Sequence, residues 1–268
     1  LALAIVFPLL LTLSSSFAAS KELLLKGAVI WPKDWTLDAY KFLFDNDQFT
    51  RSFRNAVVIT VIGTAINMVF SVLMAYGLAQ PDVRGRTVIN FMILFTMMFH
   101  GGMIPTYLVV NKLGLIGSYW SIWLVNAIAP FNLIVIRSYF QTLPGELKES
   151  ARIDGCGELK LLWRIILPVS MPMMVTFTLF YTVANWNTYF QAVLYLNDLN
   201  SYPLQVFLRQ VLILNPSELG LAVTDSGYMY TPAVRHAAIL LSTLPLIVVY
   251  PFMQKHFSKG MLIGSVKG

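Results

Sequence analysis

The chain has 268 residues, of which 57% are apolar and only 12% are Asp, Glu, Lys or Arg, against the roughly 25% charged content of a soluble domain. Uncharged stretches long enough to cross a bilayer, which takes about 20 residues, recur along it, so the chain is an integral membrane protein rather than one large soluble domain. The formal charge of +6 is scattered among the connecting segments without a basic tract, which argues against nucleic acid; a single cysteine, Cys156, excludes an internal disulfide, and His100, His236 and His256 are too far apart for a local metal motif.

Leu1 to Phe17 reads as the remainder of a first transmembrane helix preceded by a cytoplasmic tail, with a signal peptide as the rival reading. A mixed segment follows, in which Pro32 precedes a short helix predicted to be capped at Thr36, with Asp38 near its first turn. Its Trp31, Trp35, Tyr40, Phe42 and Phe44 suit either a membrane interface or packing of the segment onto a helix bundle. The second span, about Asn55 to Ala79, carries Gly63, Ala65, Ser71, Ala75 and Gly77, small residues that let helices approach closely. The third, about Thr87 to Val109, is interrupted by Gly101, Gly102 and Pro105, and irregular backbone at that depth has to be shielded by protein or line a cavity. The fourth runs from about Trp120 to Phe140 with Asn126, Pro130 and Asn132 inside it, and the fifth from about Met171 to Leu196. A second long outer segment, residues 197–233, contains LQVFLRQVLIL, too short to cross and broken by Arg209; it is expected to form an interfacial or re-entrant helix. The last span is about Val234 to Phe252, followed by a tail over residues 253–268. The predicted fold is all-α, with six spans and both termini cytoplasmic, an orientation the basic short turn and tail mildly favour.

The connection from Leu143 to Pro168, LPGELKESARIDGCGELKLLWRIILP, is the most distinctive stretch. Charged residues crowd it, while Leu147, Ala151, Ile153, Leu159, Leu161, Leu162 and Trp163 recur at helical spacing, and Gly155 and Gly157 divide it into a helix, a turn and a second short helix. Glu149, Ser150 and Ala151, then Asp154 and Gly155, then Ile165, Leu167 and Pro168 reproduce the spacing of the EAA loop, and the chain resembles the membrane subunits of binding-protein-dependent ABC importers over nearly its whole length. Ser150 stands where that family usually has its second Ala. The ending KHFSKGMLIGSVKG is similar to the tails of maltose-type sugar-importer permeases, and the closest flavour is that of permeases for complex or acidic oligosaccharides of the alginate or aldouronate type.

The resemblance implies a single permease domain, residues 1–268, of the six-helix ABC importer type, in a bacterial cytoplasmic (inner) membrane. Residues 143–168 would be its cytoplasmic coupling loop. Ala151 and Ser150 would keep one face of the loop slim enough to enter a groove of an ATPase subunit, Glu149 would meet a basic residue there, and Leu167 and Pro168 would set where the loop rejoins the next span. Ser258, Lys259, Gly260 and Gly264 would reach between two ATP-binding subunits along an extended path that the glycines, with Gly268, allow. The implied partners are a second, homologous permease subunit, two ATP-binding subunits, an extracytoplasmic solute-binding protein and membrane lipid.

The chain carries no GxxxxGK[ST] phosphate loop, so it is not expected to be an enzyme or to bind a cofactor or metal of its own; ATP and Mg would belong to the ATPase partners. Asn185, Asn187, Tyr189 and Gln191 in the fifth span, with Asn126 and Asn132 in the fourth, are the substrate-path candidates, since amides and hydroxyls beside aromatic rings suit a sugar. Polar groups in spans serve equally as helix–helix contacts. For an acidic sugar, Arg209 and Lys112 are additional candidates. The alternatives are a secondary transporter or channel, for which intramembrane acidic residues are sparse, and an importer permease for a non-sugar solute.

Overall fold

The computed structural model describes residues 2–213 and 232–264, and every regular element among them is helical. The elements are α1 (Ala2–Ser16), α2 (Ser20–Lys26), α3 (Asp38–Asp45), α4 (Asp47–Ala79), α5 (Arg86–Met98), α6 (Met103–Lys112), α7 (Trp120–Val125), α8 (Pro130–Thr142), α9 (Gly145–Ile153), α10 (Glu158–Leu161), a π-turn at Leu162–Ile166, α11 (Leu167–Val169), α12 (Met171–Trp186), α13 (Phe190–Tyr195), a 3-10 turn at Leu199–Ser201, α14 (Leu204–Ile213) and α15 (Pro232–Gly264). Residues 214–231 of the expected outer segment, and Gly268, lie outside the described residues.

By length and apolar composition, Asp47–Ala79 and Pro232–Val249 can each cross a membrane, and Glu158–Val169 with Met171–Trp186 forms a further pair bent by 88°. At 33 residues, α4 is about 50 Å long, and it begins well before the expected Asn55. The expected third, fourth and fifth spans are each built from two helices. Their breaks fall at residues 99–102, 126–129 and 187–189. The first break contains Gly101 and Gly102, with Gly102 at φ +88°. The second ends at Pro130, which opens α8; the missing N–H of a first-turn proline is one the helix start leaves unbonded anyway. The third contains neither Gly nor Pro.

Two compact units are distinguished, and α4, α12 and α15 each contribute to both. The first comprises Leu1–Val58 and Trp186–Val249. Its core gathers Leu43, Phe49, Ala56, Trp186, Leu204, Phe207 and Ala237. Phe49 meets Phe207 edge-on at 5.7 Å and Phe53 meets Trp186 at 6.0 Å, while the Trp186 indole donates to the Ser242 carbonyl at 3.0 Å. Arg51 donates to Asn200 Oδ1 at 2.8 Å and Asn55 to the Asn200 carbonyl at 2.7 Å, so the turn before α14 is tied to the start of α4.

The expected helix start at Thr36 is corrected. The chain pairs instead, Thr36 donating to the Phe17 carbonyl beside an Ala18–Trp35 bridge, and α3 begins at Asp38 without a side-chain cap. The aromatic residues of this segment divide. Tyr40 and Phe42 pack on the core, whereas Trp31, Trp35 and Phe44 remain exposed.

The second unit comprises Ile59–Asn185 and Tyr250–Gly268. Its core joins Val72, Ala75, Tyr76 and Ala79 of α4 to Leu133, Ile136 and Phe140 of α8, Ala151 of α9, Leu161, Leu162 and Ile166 of the following turns, and Met174 and Phe177 of α12. The tail departs from the extended path expected for it: α15 continues without interruption through Ser258, Lys259 and Gly260 to Gly264. Glycine lowers helix propensity by only about 1 kcal/mol, so two glycines do not by themselves end a helix of this length.

Candidate functional site: the Leu143–Pro168 loop and the polar face of α4

α9 is a nine-residue amphipathic helix with Glu146 in its first turn and Arg152 in its last, an arrangement that complements the helix dipole. It ends in a Schellman closure: Gly155 N–H donates to the Arg152 carbonyl at 3.0 Å and Cys156 N–H to the Ala151 carbonyl at 2.9 Å. Gly155 sits at φ +75°, the left-handed conformation this closure requires. Gly157 is extended, at φ −69° and ψ 157°, and serves as the start of α10. The second glycine therefore answers no conformational need, and the turn belongs to Gly155.

The faces of the loop are distributed differently from the slim docking face expected of Ser150 and Ala151. Ala151 is 6% exposed and packs in the chain's own core with Leu161, Leu162 and Ile166, so it anchors the loop from within. Ser150, Glu149 and Asp154 are exposed, and Glu149 has no ion-pair partner among the described residues. The apolar residues left outside are Ile153, at 86% exposure, with Leu147, Leu159 and Trp163. Ile165 and Leu167 are partly buried against the same core. Pro168 lies in α11, and the sharp change of direction follows it at Ser170 rather than at the proline.

A charged cluster braces the underside. Arg152 Nε donates to Glu158 Oε1 at 2.9 Å, Tyr76 Oη donates to Glu158 Oε2 at 2.5 Å, and an Arg152 Nη2 donates to Gln80 Oε1 at 3.4 Å. Lys148 Nζ donates to the Phe140 carbonyl at 3.2 Å; burial pushes its ammonium pKa down, and Arg152 adds to the shift. The Tyr76 hydroxyl, and after it Arg152, hold the Glu158 carboxyl below its ordinary value of 4.5. A depressed carboxylate contributes stability above its unfolded pKa and loses it as pH falls through the lowered folded value. The groups facing Glu158 are Tyr76, Arg152 and Lys148, and the Arg and Lys stay charged throughout that window. Hydrogen exchange of residues 145–161, corrected for intrinsic rate, is thus expected to be flat from neutrality to about pH 5 and to accelerate below about pH 4. Glu158→Gln removes that acid limb.

α4 presents a second polar arrangement. Gly63, Asn67, Ser71 and Ala75 recur at intervals of four and are all buried. Asn185 of α12 lies against Gly63, where an added Cβ would come within 2.9 Å of its Oδ1. Asn185 Nδ2 donates to Asn67 Oδ1 at 2.8 Å and to Thr64 at 3.3 Å. Asn67 Nδ2 in turn donates to the carbonyls of Asn126, at 2.5 Å, and Ala127, at 3.1 Å, in the break between α7 and α8. One turn further, Tyr181 shares a 2.7 Å hydrogen bond with Ser71 and accepts from the Ala129 N–H at 3.2 Å. Three backbone groups of the irregular segment 126–129, the Asn126 and Ala127 carbonyls and the Ala129 N–H, are thereby satisfied by side chains, as a membrane interior demands.

The substrate-path candidates separate accordingly. Asn185, 7% exposed, belongs to the α4–α12 contact, and the Asn126 side chain bonds back to the Ile122 carbonyl at 3.4 Å. Asn132 is half-buried on α8. Asn187, Tyr189 and Gln191 belong to the first unit, around the break between α12 and α13, with Asn187 exposed. The Arg209 guanidinium lies 4.7 Å from the centre of the Tyr189 ring, a cation–π contact worth about 0.5–1 kcal/mol at an exposed site. Sequence reading passed over Asn67, Tyr181, Tyr76 and Gln80. The spacing of Gly63, Asn67 and Ser71 at i, i+4 and i+8 was the available signal for the first, and Tyr181 and Asn185 repeat that interval on α12.

Comparison with known proteins agrees with this architecture. Protein LplC of Bacillus subtilis is 50% identical over 266 residues, covering 98% of this chain and 90% of that one. The polygalacturonan/rhamnogalacturonan transport system permease protein YtcP of the same organism is 46% identical over 270 residues, covering 100% and 94%. The crystal structure of a bacterial ABC transporter involved in the import of the acidic polysaccharide alginate contains a chain 35% identical to this one, with a TM-score of 0.87 over 96% of this chain and 92% of that one. Residues 48–263, which take in all of α4 but its first residue and the whole Leu143–Pro168 loop, match the model of a permease family, and the chain therefore belongs to the binding-protein-dependent transport system inner membrane components.

Proposed function

We propose that this chain forms half of the translocation pathway of an ATP-driven importer of oligosaccharides, and that its cargo carries uronic acids. The observation that carries the coupling half of this reading is the loop itself. It is fixed from within by Ala151, while Glu149, Ile153 and Trp163 are left exposed on a short rigid helix and turn. A carboxylate beside exposed apolar groups is a surface shaped for a protein partner with a basic, apolar-lined groove. The partner is a cytoplasmic ATPase subunit, present in two copies that hold ATP and Mg; their closure displaces the loop and, through it, the attached helices. A second, homologous permease completes the pore, and an extracytoplasmic binding protein delivers the sugar. Both termini are cytoplasmic in this arrangement.

The cargo assignment is supported by similarity to YtcP and to the alginate importer, whose named polysaccharides are acidic. In this chain Asn187, Tyr189 and Gln191, with Arg209 close by, supply amide, aromatic and cationic groups suited to a uronate. The test is ATP hydrolysis by the reconstituted complex with its binding protein, across neutral and uronic-acid oligosaccharides. Uronic-acid oligosaccharides are expected to stimulate hydrolysis several-fold and neutral ones little, and Asn187→Ala is expected to weaken uptake without changing assembly. Stimulation by neutral oligosaccharides alone would overturn the cargo assignment.

A further inference from the structure

We infer that Tyr76, Arg152 and Glu158 form a clasp that makes the Leu143–Pro168 loop and α4 move as one body, so that these three are positioning residues for coupling. The inference rests on the coupling reading proposed above. The loop is continuous in sequence with α8 and α12, but α4 ends at Ala79, more than sixty residues earlier. A displacement of α9 therefore reaches α4 only through side chains. The apolar core that Ala151, Leu161 and Leu162 share with Ala75 and Ala79 of α4 is non-directional and tolerates sliding.

The clasp is directional. The two oxygens of one carboxylate, Glu158, are divided between elements, Oε2 accepting from Tyr76 of α4 and Oε1 from Arg152 of α9. Arg152 then reaches past Glu158 to Gln80, the residue after the end of α4. Tyr76 is 7% exposed and stands edge-on to the fully buried Phe140, so its hydroxyl has little room to turn elsewhere. Hydrogen bonds to an ionised carboxylate are roughly twice as strong as neutral ones, and here one such group joins α4, α9 and α10. The displacement it carries has a destination on the same helix. Five residues before Tyr76 begins the stripe of Ser71, Asn67 and Gly63, which holds Tyr181 and Asn185 of α12 and the irregular backbone at 126–129. Movement of the loop is passed by this route to the polar interior of the second unit.

The experiment compares uptake per ATP hydrolysed in proteoliposomes containing the whole importer with its binding protein. Tyr76→Phe keeps the ring and removes one hydroxyl. It is expected to co-purify with the ATPase subunits as wild type does and to hydrolyse ATP at a comparable rate, with uptake per ATP falling roughly fivefold or more. Glu158→Gln, which alters a side chain half exposed at the loop, is expected to lower the same ratio; it decides the matter if Tyr76→Phe fails to assemble. A ratio within about twofold of wild type in an assembled variant would overturn the clasp while leaving the coupling reading intact. Failure of the wild-type chain to bind ATPase subunits at all would overturn the coupling reading, and the clasp with it.

Discussion

Replacing Gly155 with Val is expected to reduce uptake by roughly tenfold or more while membrane insertion and the amount of chain in the membrane stay close to wild type. The reason is backbone geometry rather than space. Gly155 holds φ +75°, and a Cβ added there would meet nothing within 4 Å. A left-handed conformation costs an L-residue roughly 1–2 kcal/mol, and a β-branched side chain more. Each 1.4 kcal/mol changes an equilibrium about tenfold, so the Schellman closure, and with it the direction in which α9 presents Glu149, is held in only a minor fraction of molecules. Asn visits the left-handed region far more readily than other non-glycine residues. Gly155→Asn is therefore expected to retain several-fold more uptake than Gly155→Val, with Gly155→Ala between them. Equal losses for Asn and Val would show that the position matters for something other than its dihedral angles. Glu149→Gln provides the companion measurement: the carboxylate is exposed and has no ion-pair partner among the described residues, so it is expected to weaken ATPase association without altering the loop's hydrogen-exchange protection.

The loop was the most legible part of the chain because its information is local. A glycine at a helix end, an acid in the first turn and a base in the last are set by the residues themselves, and they stand in the structure where spacing placed them. The direction in which Ala151 points was not legible. α9 carries apolar side chains on both of its sides, Leu147 and Ile153 outward and Ala151 inward, and in a nine-residue helix the periodicity cannot tell which apolar residue meets the core. Helices fall within the stretches that hydropathy marked, but their continuity was not legible. The break at 126–129 is recorded only by Pro130, and that at 187–189 by nothing in composition, because what sustains the first is a set of partners distant in sequence: Asn67 and Tyr181 supply the hydrogen bonds that a continuous helix would have made for itself. For the same reason Asn185 reads from sequence as a group available to a sugar, whereas its amide is engaged across a helix contact. The tail misled in the opposite sense, its glycines suggesting an extended path where the preceding helix simply continues.

Asn67→Ala is expected to lower the thermal midpoint of the purified chain in detergent by several degrees, the largest destabilisation among the polar span residues considered. Asn67 is 2% exposed and serves three partners, donating to the Asn126 and Ala127 carbonyls and accepting from Asn185. Truncation strands the two carbonyls and leaves Asn185 with Thr64 alone. A buried polar group left without a partner costs about 1–3 kcal/mol, whereas interhelical hydrogen bonds in membranes average only about 0.6 kcal/mol, because the unfolded reference finds other partners. The two carbonyls decide between these figures. They sit where α7 has ended and have no helical donor to return to, so the higher range applies to them, and a total of about 2–3 kcal/mol follows. At roughly 2–4 °C per kcal/mol for a chain of this size, the midpoint falls by about 4–12 °C. Asn67→Asp is expected to do at least as much harm, since a carboxylate keeps the acceptor for Asn185 but turns a second oxygen toward two carbonyls. Asn187→Ala, at an exposed position in the other unit, is expected to move the midpoint by no more than about 1 °C. A neutral Asn67→Ala would mean that water, admitted to the gap, bonds the carbonyls as well as the amide did, and the break at 126–129 would then be a hydrated feature of the transport path rather than a joint sealed by α4.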